Sequence, residues 1–145
     1  RWKFIHEYFA GKPGNLDTHF VPQKPSDYIL YAPRALQIGL FAPFPNMWFS
    51  KGGTSLGTIA RYITPFETII IWIGLLLFLI FLIEHKSDPR IYLILALSLL
   101  FIYLHVITEP NMGPIYRKRY VFIMTLICLG YANFLQKFLY KHEKA

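Results

Sequence analysis

Residues 109–120 read EPNMGPIYRKRY, and three cations, Arg117, Lys118 and Arg119, stand together where a new apolar run begins. Guanidinium groups grip phosphate through paired N–H donors. A helix start adds backbone N–H groups that also suit an anion. Yet that same helix end carries roughly half a positive charge. Three cations in its first turn or so add repulsion, of the order of several tenths of a kcal/mol each at an exposed site. Something negative is expected to offset it. Lipid headgroups are one source, reached by snorkelling side chains at span ends. A specific phosphorylated ligand, such as a lipid-linked phosphosugar, is the other.

The neighbours add polar chemistry at the same boundary. His105 and Glu109 are four apart and share one helix face. Glu109 lies across the turn from Arg117 and Arg119, with Asn111 between them. The plain reading of Glu109 is a local salt bridge to Arg117, and of His105 a helix-end histidine bonded to a backbone carbonyl. Ionisable residues near a membrane are nevertheless functional candidates. The candidate anion-binding set is therefore Arg117, Lys118 and Arg119 with Arg34, and the polar interface cluster is His105, Glu109 and Asn111. No catalytic residue is assigned. The sequence requires no cofactor, although His105 is the residue that would ligate a pigment or haem. Cys128 is the only cysteine, so neither an internal disulfide nor a cysteine-based metal framework can form, and it reads as a small lipid-compatible residue.

The composition says what must position these groups. Of 145 residues, 54% are hydrophobic, 18% aromatic and only 16% charged. Soluble domains are nearer a quarter charged. The net charge is +7, from 15 Lys+Arg against 8 Asp+Glu. On a chain with long apolar runs, such an excess orients spans or meets lipid phosphates. The spans exclude a soluble nucleic-acid binder. Three helices without mid-span charge also argue against a channel. The chain begins at Arg1 without a signal-peptide pattern and is expected to be a processed product or the C-terminal portion of something longer.

The predicted fold is an all-α membrane protein. Residues 1–66 form an extramembrane arm, irregular at its start, with a short amphipathic helix over Trp2–Ala10. Within the arm, residues 28–50 are apolar but broken by Pro33, Pro43 and Pro45. A helix over about Pro33–Phe41 is too short to span. It reads either as an interfacial or re-entrant helix, with Tyr31, Trp48 and Phe49 at headgroup level, or as a hydrophobic loop packed on other membrane helices. The Gly-rich stretch 50–58 reads as a flexible connector. Residues 67–145 form a three-helix transmembrane domain with spans over about 66–84, 90–108 and 115–140. Thr64-Pro65-Phe66-Glu67 offers a capping box for the first and Asp88-Pro89 a cap for the second. Their short connection predicts an antiparallel hairpin, and Pro114 opens the third helix. The arm and the 109–119 turn then share one side. The near-membrane cations tie: Lys51, Arg61, Arg117, Lys118 and Arg119 against Lys86, Arg90, Lys137, Lys141 and Lys144. The C-terminus is expected in the cytoplasm, because its lysines have no other evident role.

An apolar span, then Glu109-Pro110-Asn111-Met112-Gly113, then Arg117-Lys118-Arg119-Tyr120 opening the next span, resembles the last membrane helices of bacterial polysaccharide-assembly proteins. These include polyprenyl-phosphosugar-dependent glycosyltransferases and O-antigen-polymerase-like proteins. PRALQIGLFAPFPNMWF upstream is similar to a segment before their final helices. The two stretches cover about a third of the chain. The resemblance implies a bacterial inner-membrane location and contact of Arg117 and Arg119 with lipid-linked phosphate. It supplies no catalytic base. Two functions are expected from this reading. The first is a non-catalytic accessory or structural subunit of a larger membrane complex, touching lipids and other subunits. The alternative is the C-terminal part of a glycosyltransferase or polysaccharide polymerase that binds a polyprenyl-phosphate-linked glycan through the RKR turn.

Overall fold

The computed structural model describes Glu7, Leu16, Asp17, Phe20 and residues 22–49, 54–109 and 111–143. The expected helix over Trp2–Ala10 lies almost wholly outside them. The described chain is all-α: α1 (Pro25–Phe41), a single 3-10 turn (Pro45–Met47), α2 (Ser55–Glu84), α3 (Pro89–Thr108) and α4 (Met112–Glu143). Three helices are long and apolar enough to cross a membrane, over Gly57–Glu84, Pro89–Thr108 and Met112–Tyr140.

Local chemistry explains most boundaries. The Asp88 side chain accepts from Arg90 N and Pro89 sits at the first helical position of α3, as expected. Asn111 caps α4, its Oδ1 accepting from Gly113 N at 2.9 Å. Helix α4 thus begins ahead of Pro114. Helix α1 also begins earlier than expected. Pro25 opens it, and the Asp27 carboxylate accepts from Gln23 N and Lys24 N. Pro33 does not interrupt it: the ring lies on an exposed face, where the missing N–H leaves the preceding turn open to solvent or headgroups.

The first span corrects two expectations. Thr64-Pro65 is not its start, because α2 is continuous from Ser55 and holds Pro65 in its interior. The cap in use is Thr54, whose side chain accepts from Gly57 N at 3.0 Å. The later part of the stretch read as a flexible connector is therefore the first turn of a helix. A cap-like sequence competes with any other cap upstream, and the longer helix makes more hydrogen bonds.

Helices α2 and α3 are joined by the short connection expected, Glu84 to Pro89, but their main packing partners are other helices. Helix α2 packs chiefly on α4, whereas α3 packs about equally on α4 and on α1, and α1 touches α4 more lightly. Backbones meet closely at the α2–α4 crossing. A Cβ on Gly130 would stand 2.5 Å from Phe78 N, so only glycine fits. Around this crossing Ile71, Leu75, Phe78, Ile123, Leu126 and Ile127 form the main core. A second core of Ala35, Ile38, Ala42, Val106, Met112 and Ile115 seats α1 where α3 ends and α4 begins. Of the two readings for residues 28–50, the helix is thus present, and it packs on other helices as well.

Candidate functional site

The RKR stretch does not act as a unit. Its residues are the sixth, seventh and eighth of α4 rather than the first turn. The dipole penalty fades beyond that turn, so the offset demanded by the sequence is smaller. Successive helical residues also point in different directions, and the three cations find three environments.

Arg119 is buried, with 1% of its surface exposed. Its guanidinium faces the C-terminal end of α1. It donates to the carbonyls of Ile38 at 2.9 Å and Gly39 at 2.6 Å, and also to that of Ala42. The reason lies in the sequence of α1. The Ile38 carbonyl already accepts from Ala42 N at 3.1 Å, but the carbonyls after it lose their donors as the helix stops, and Pro43 has no N–H to give to Gly39. These acceptors are buried, where an unmet carbonyl is costly. A planar fork with several donors reaches all three, and the same guanidinium lies 5.0 Å from the Tyr116 ring centroid. The phosphate contact expected of Arg119 is here replaced by contact with backbone carbonyls.

Lys118 forms an ion pair with Glu109. The salt bridge expected at Glu109 therefore exists, but to Lys118 instead of Arg117. Glu109 also closes α3, its N–H donating to the His105 carbonyl at 3.1 Å. The His105 ring lies 5.8 Å from that of Phe122, so the face it shares with Glu109 carries an aromatic contact. Asn111 belongs to the α4 cap.

Arg34 stands apart from the RKR group. It pairs with both carboxylate oxygens of Asp17, at 2.9 and 3.1 Å, and donates to Gln37. The Tyr31 hydroxyl donates to Asp17 at 3.0 Å, and the Tyr31 ring stacks on Phe20 at 3.9 Å. Burial pushes the Tyr31 phenol pKa up, and the Asp17 charge adds to that. This cluster fastens the arm to α1. It leaves Arg34 committed to a carboxylate rather than to a lipid phosphate.

Arg117 alone of the three faces an open site. It lines a cleft of about 510 Å³ with Arg61, Glu67 and Tyr116, walled by Pro43, Met47 and Trp48. Among the described residues Arg117 takes part in no ion pair. Glu67 acts electrostatically on Tyr116, Tyr120 and Arg119 from α2. The Tyr116 hydroxyl is buried beside the Glu67 carboxylate, and Trp72 Nε1 and Thr68 Oγ1 nearby on α2 are buried without a hydrogen-bond partner. Trp48 packs 5.9 Å from Trp72 and donates its indole N–H to the Pro43 carbonyl at 2.8 Å. The cleft sits at the end of the bundle where α3 passes into α4. Two guanidinium groups against the single Glu67 carboxylate leave the cleft cationic, and with its aromatic wall it suits an anionic headgroup.

Sequence reasoning missed Arg61, Glu67, Trp72 and Tyr116. It placed Glu67 in a helix cap and treated Arg61 only as a flanking charge. The available signal was spacing: Arg61 and Thr64, then Glu67 and Thr68, fall at three- and four-residue intervals ahead of an uncharged run. Among the described residues no group of His, Cys, Asp and Glu could hold a metal ion. No family model matches this chain, and no curated protein or solved structure matches it either.

Proposed function

We propose that this integral membrane protein holds the phosphate of a membrane lipid in the cleft between the Pro43–Trp48 segment, α2 and α4. The observation that carries the reading is Arg117 beside Arg61 in that cleft, at the boundary where α4 begins. The ligand chemistry is a phosphate on an apolar chain. A polyprenyl-phosphate-linked glycan is the source favoured by the resemblance to bacterial polysaccharide-assembly proteins, and bulk anionic phospholipid is the other. The test is retention of farnesyl phosphate by the purified protein in nanodiscs, with and without phosphatidylglycerol. Charge-assisted hydrogen bonds are worth about 1.5–3 kcal/mol. Arg117→Ala should therefore weaken retention about tenfold or more. Displacement by phosphatidylglycerol at equal concentration would assign the cleft to bulk lipid. Unchanged binding by Arg117→Ala would sink the reading.

An accessory-subunit role is a second reading, favoured by the layered arrangement. Helix α2 packs chiefly on α4, and Ile69, Ile70, Ile73, Leu76 and Leu79 on it are exposed. A partner helix fits such a face, as lipid chains do. Mild-detergent purification with intact mass measurement separates the two: stoichiometric partner proteins support a subunit, and a lone protein in native membranes speaks against one.

The orientation proposed is with the C-terminus in the cytoplasm of a bacterial inner membrane. Arg119 is buried in the protein, which removes it from the count of flanking charge. Lys51, Arg61, Arg117 and Lys118 then face Lys86, Arg90, Lys137, Lys141 and Lys144, so the balance favours the C-terminal side.

A further inference from the structure

We infer that Arg119 is a positioning residue for the cleft: it never touches the ligand, but it fixes the wall against which the ligand sits. This rests on the reading of the cleft as a phosphate site. Arg119 clasps the Ile38, Gly39 and Ala42 carbonyls. The next residue, Pro43, is already cleft wall. Trp48, five residues on, returns its indole N–H to the Pro43 carbonyl. The Pro43–Trp48 wall is therefore braced at one end by a guanidinium from α4 and across its width by an indole. The same helix turn that supplies Arg119 supplies Arg117 to the cleft. Two neighbouring arginines thus divide the work, one gripping the ligand and the other the wall.

A purely electrostatic role for Arg119 would be kept by lysine, whereas a clasp would not. A lysine is a point cation without a planar fork, and one ammonium cannot hold three carbonyls spread over the end of a helix in the same geometry. Arg119→Lys therefore separates charge from position.

The experiment uses the full chain in detergent, with Cys128→Ala and a nitroxide on Asn46→Cys, which lies in the wall turn and is exposed. Farnesyl phosphate binding and label mobility are measured together. Arg119→Lys should raise label mobility and weaken binding about tenfold. Its salt dependence should match that of the parent, because the charge is retained and the ligand contacts are unchanged. Arg117→Ala should weaken binding, flatten the salt dependence and leave the label mobility alone. Trp48→Phe removes one brace without touching Arg119, and should shift mobility and binding in the same direction as Arg119→Lys, by less. The clasp is overturned if Arg119→Lys folds with unchanged mobility and affinity. Should Arg119→Lys not fold, Arg119→Gln, with a shorter side chain and a single amide group, decides: unchanged mobility and binding overturn the inference, and raised mobility with weaker binding sustains it. If Arg117→Ala leaves binding intact while Arg119→Lys still loosens the label, the phosphate reading fails and the wall clasp stands.

Discussion

At the scale of single residues, burial decides what a charge does. Arg119 has three carbonyls for partners because α1 ends where water is absent, and water cannot complete its last turn. Replacing it with leucine keeps the bulk but takes the donor from the Gly39 and Ala42 carbonyls, Ile38 keeping its bond from Ala42 N. The loss should be of the order of 2 kcal/mol or more, since each buried unsatisfied group costs about 1–3 kcal/mol. Thermal unfolding in detergent should show a clear fall in midpoint, and an unchanged midpoint would remove the clasp from the account of stability. Asp27 behaves oppositely, as an exposed group. Hydrogen bonds from Gln23 N and Lys24 N hold its carboxyl pKa below the ordinary 3.8. A lowered pKa means the contribution is complete above that ordinary value and is lost as pH falls below it. The start of α1 should therefore fray in acid below about pH 4. Asp27→Asn should show no such step in amide exchange over residues 23–29; a step of equal size in both proteins would refute the assignment.

At the scale of elements, the signals that the sequence displays openly are those carried by adjacent residues. Asp88-Pro89 starts α3 because both halves of the cap lie side by side, and nothing upstream competes. Thr64-Pro65-Phe66-Glu67 has the same form and fails, because Thr54 caps first and the helix runs through the proline. Three long apolar runs were legible for the same local reason. Contacts between distant residues were not. Nothing near Arg119 in sequence says that its partners lie 77 to 81 positions away. The apolar end of α1 followed by Pro43 announces orphan carbonyls, but not which donor will come. The candidate cleft was half visible for this reason, through Arg117 and not through Arg61, Glu67 or Tyr116. The central place of α4 likewise depends on Gly130, one small residue in an apolar run. Gly130→Ala would put a methyl 2.5 Å from the Phe78 nitrogen, a backbone atom. The helices would have to part, at a cost of about 1–3 kcal/mol. Gly113→Ala meets only the Asn111 side chain at 3.4 Å and serves as the control. Equal midpoints for the two variants would contradict a close α2–α4 crossing.

At the scale of the whole molecule, three crossings fix which groups can meet. Two spans, α2 and α3, separate the Pro45–Met47 turn from the α3–α4 junction, which puts those two on one face and the α2–α3 turn on the other. That shared face is why the arm's wall residues, α2's Arg61 and α4's Arg117 can line one cleft. At the opposite end Glu84 pairs with Lys137 and accepts from Asn133, tying α2 to α4 there as well. The arrangement makes a sidedness prediction that does not depend on any ligand. Asn46→Cys and Ser87→Cys, each with Cys128→Ala, place single thiols at exposed positions in the two turns. In sealed vesicles of known orientation, a membrane-impermeant maleimide should label one before permeabilisation and the other only after it. With the C-terminus cytoplasmic, Asn46→Cys is the one reached from the non-cytoplasmic side. The reverse pattern would keep the three spans and invert the orientation, moving the cleft to the cytoplasmic leaflet. Labelling of both from the same side would mean that α2 does not cross, and the cleft could then no longer be a site where a lipid chain enters from the bilayer while its phosphate meets Arg117.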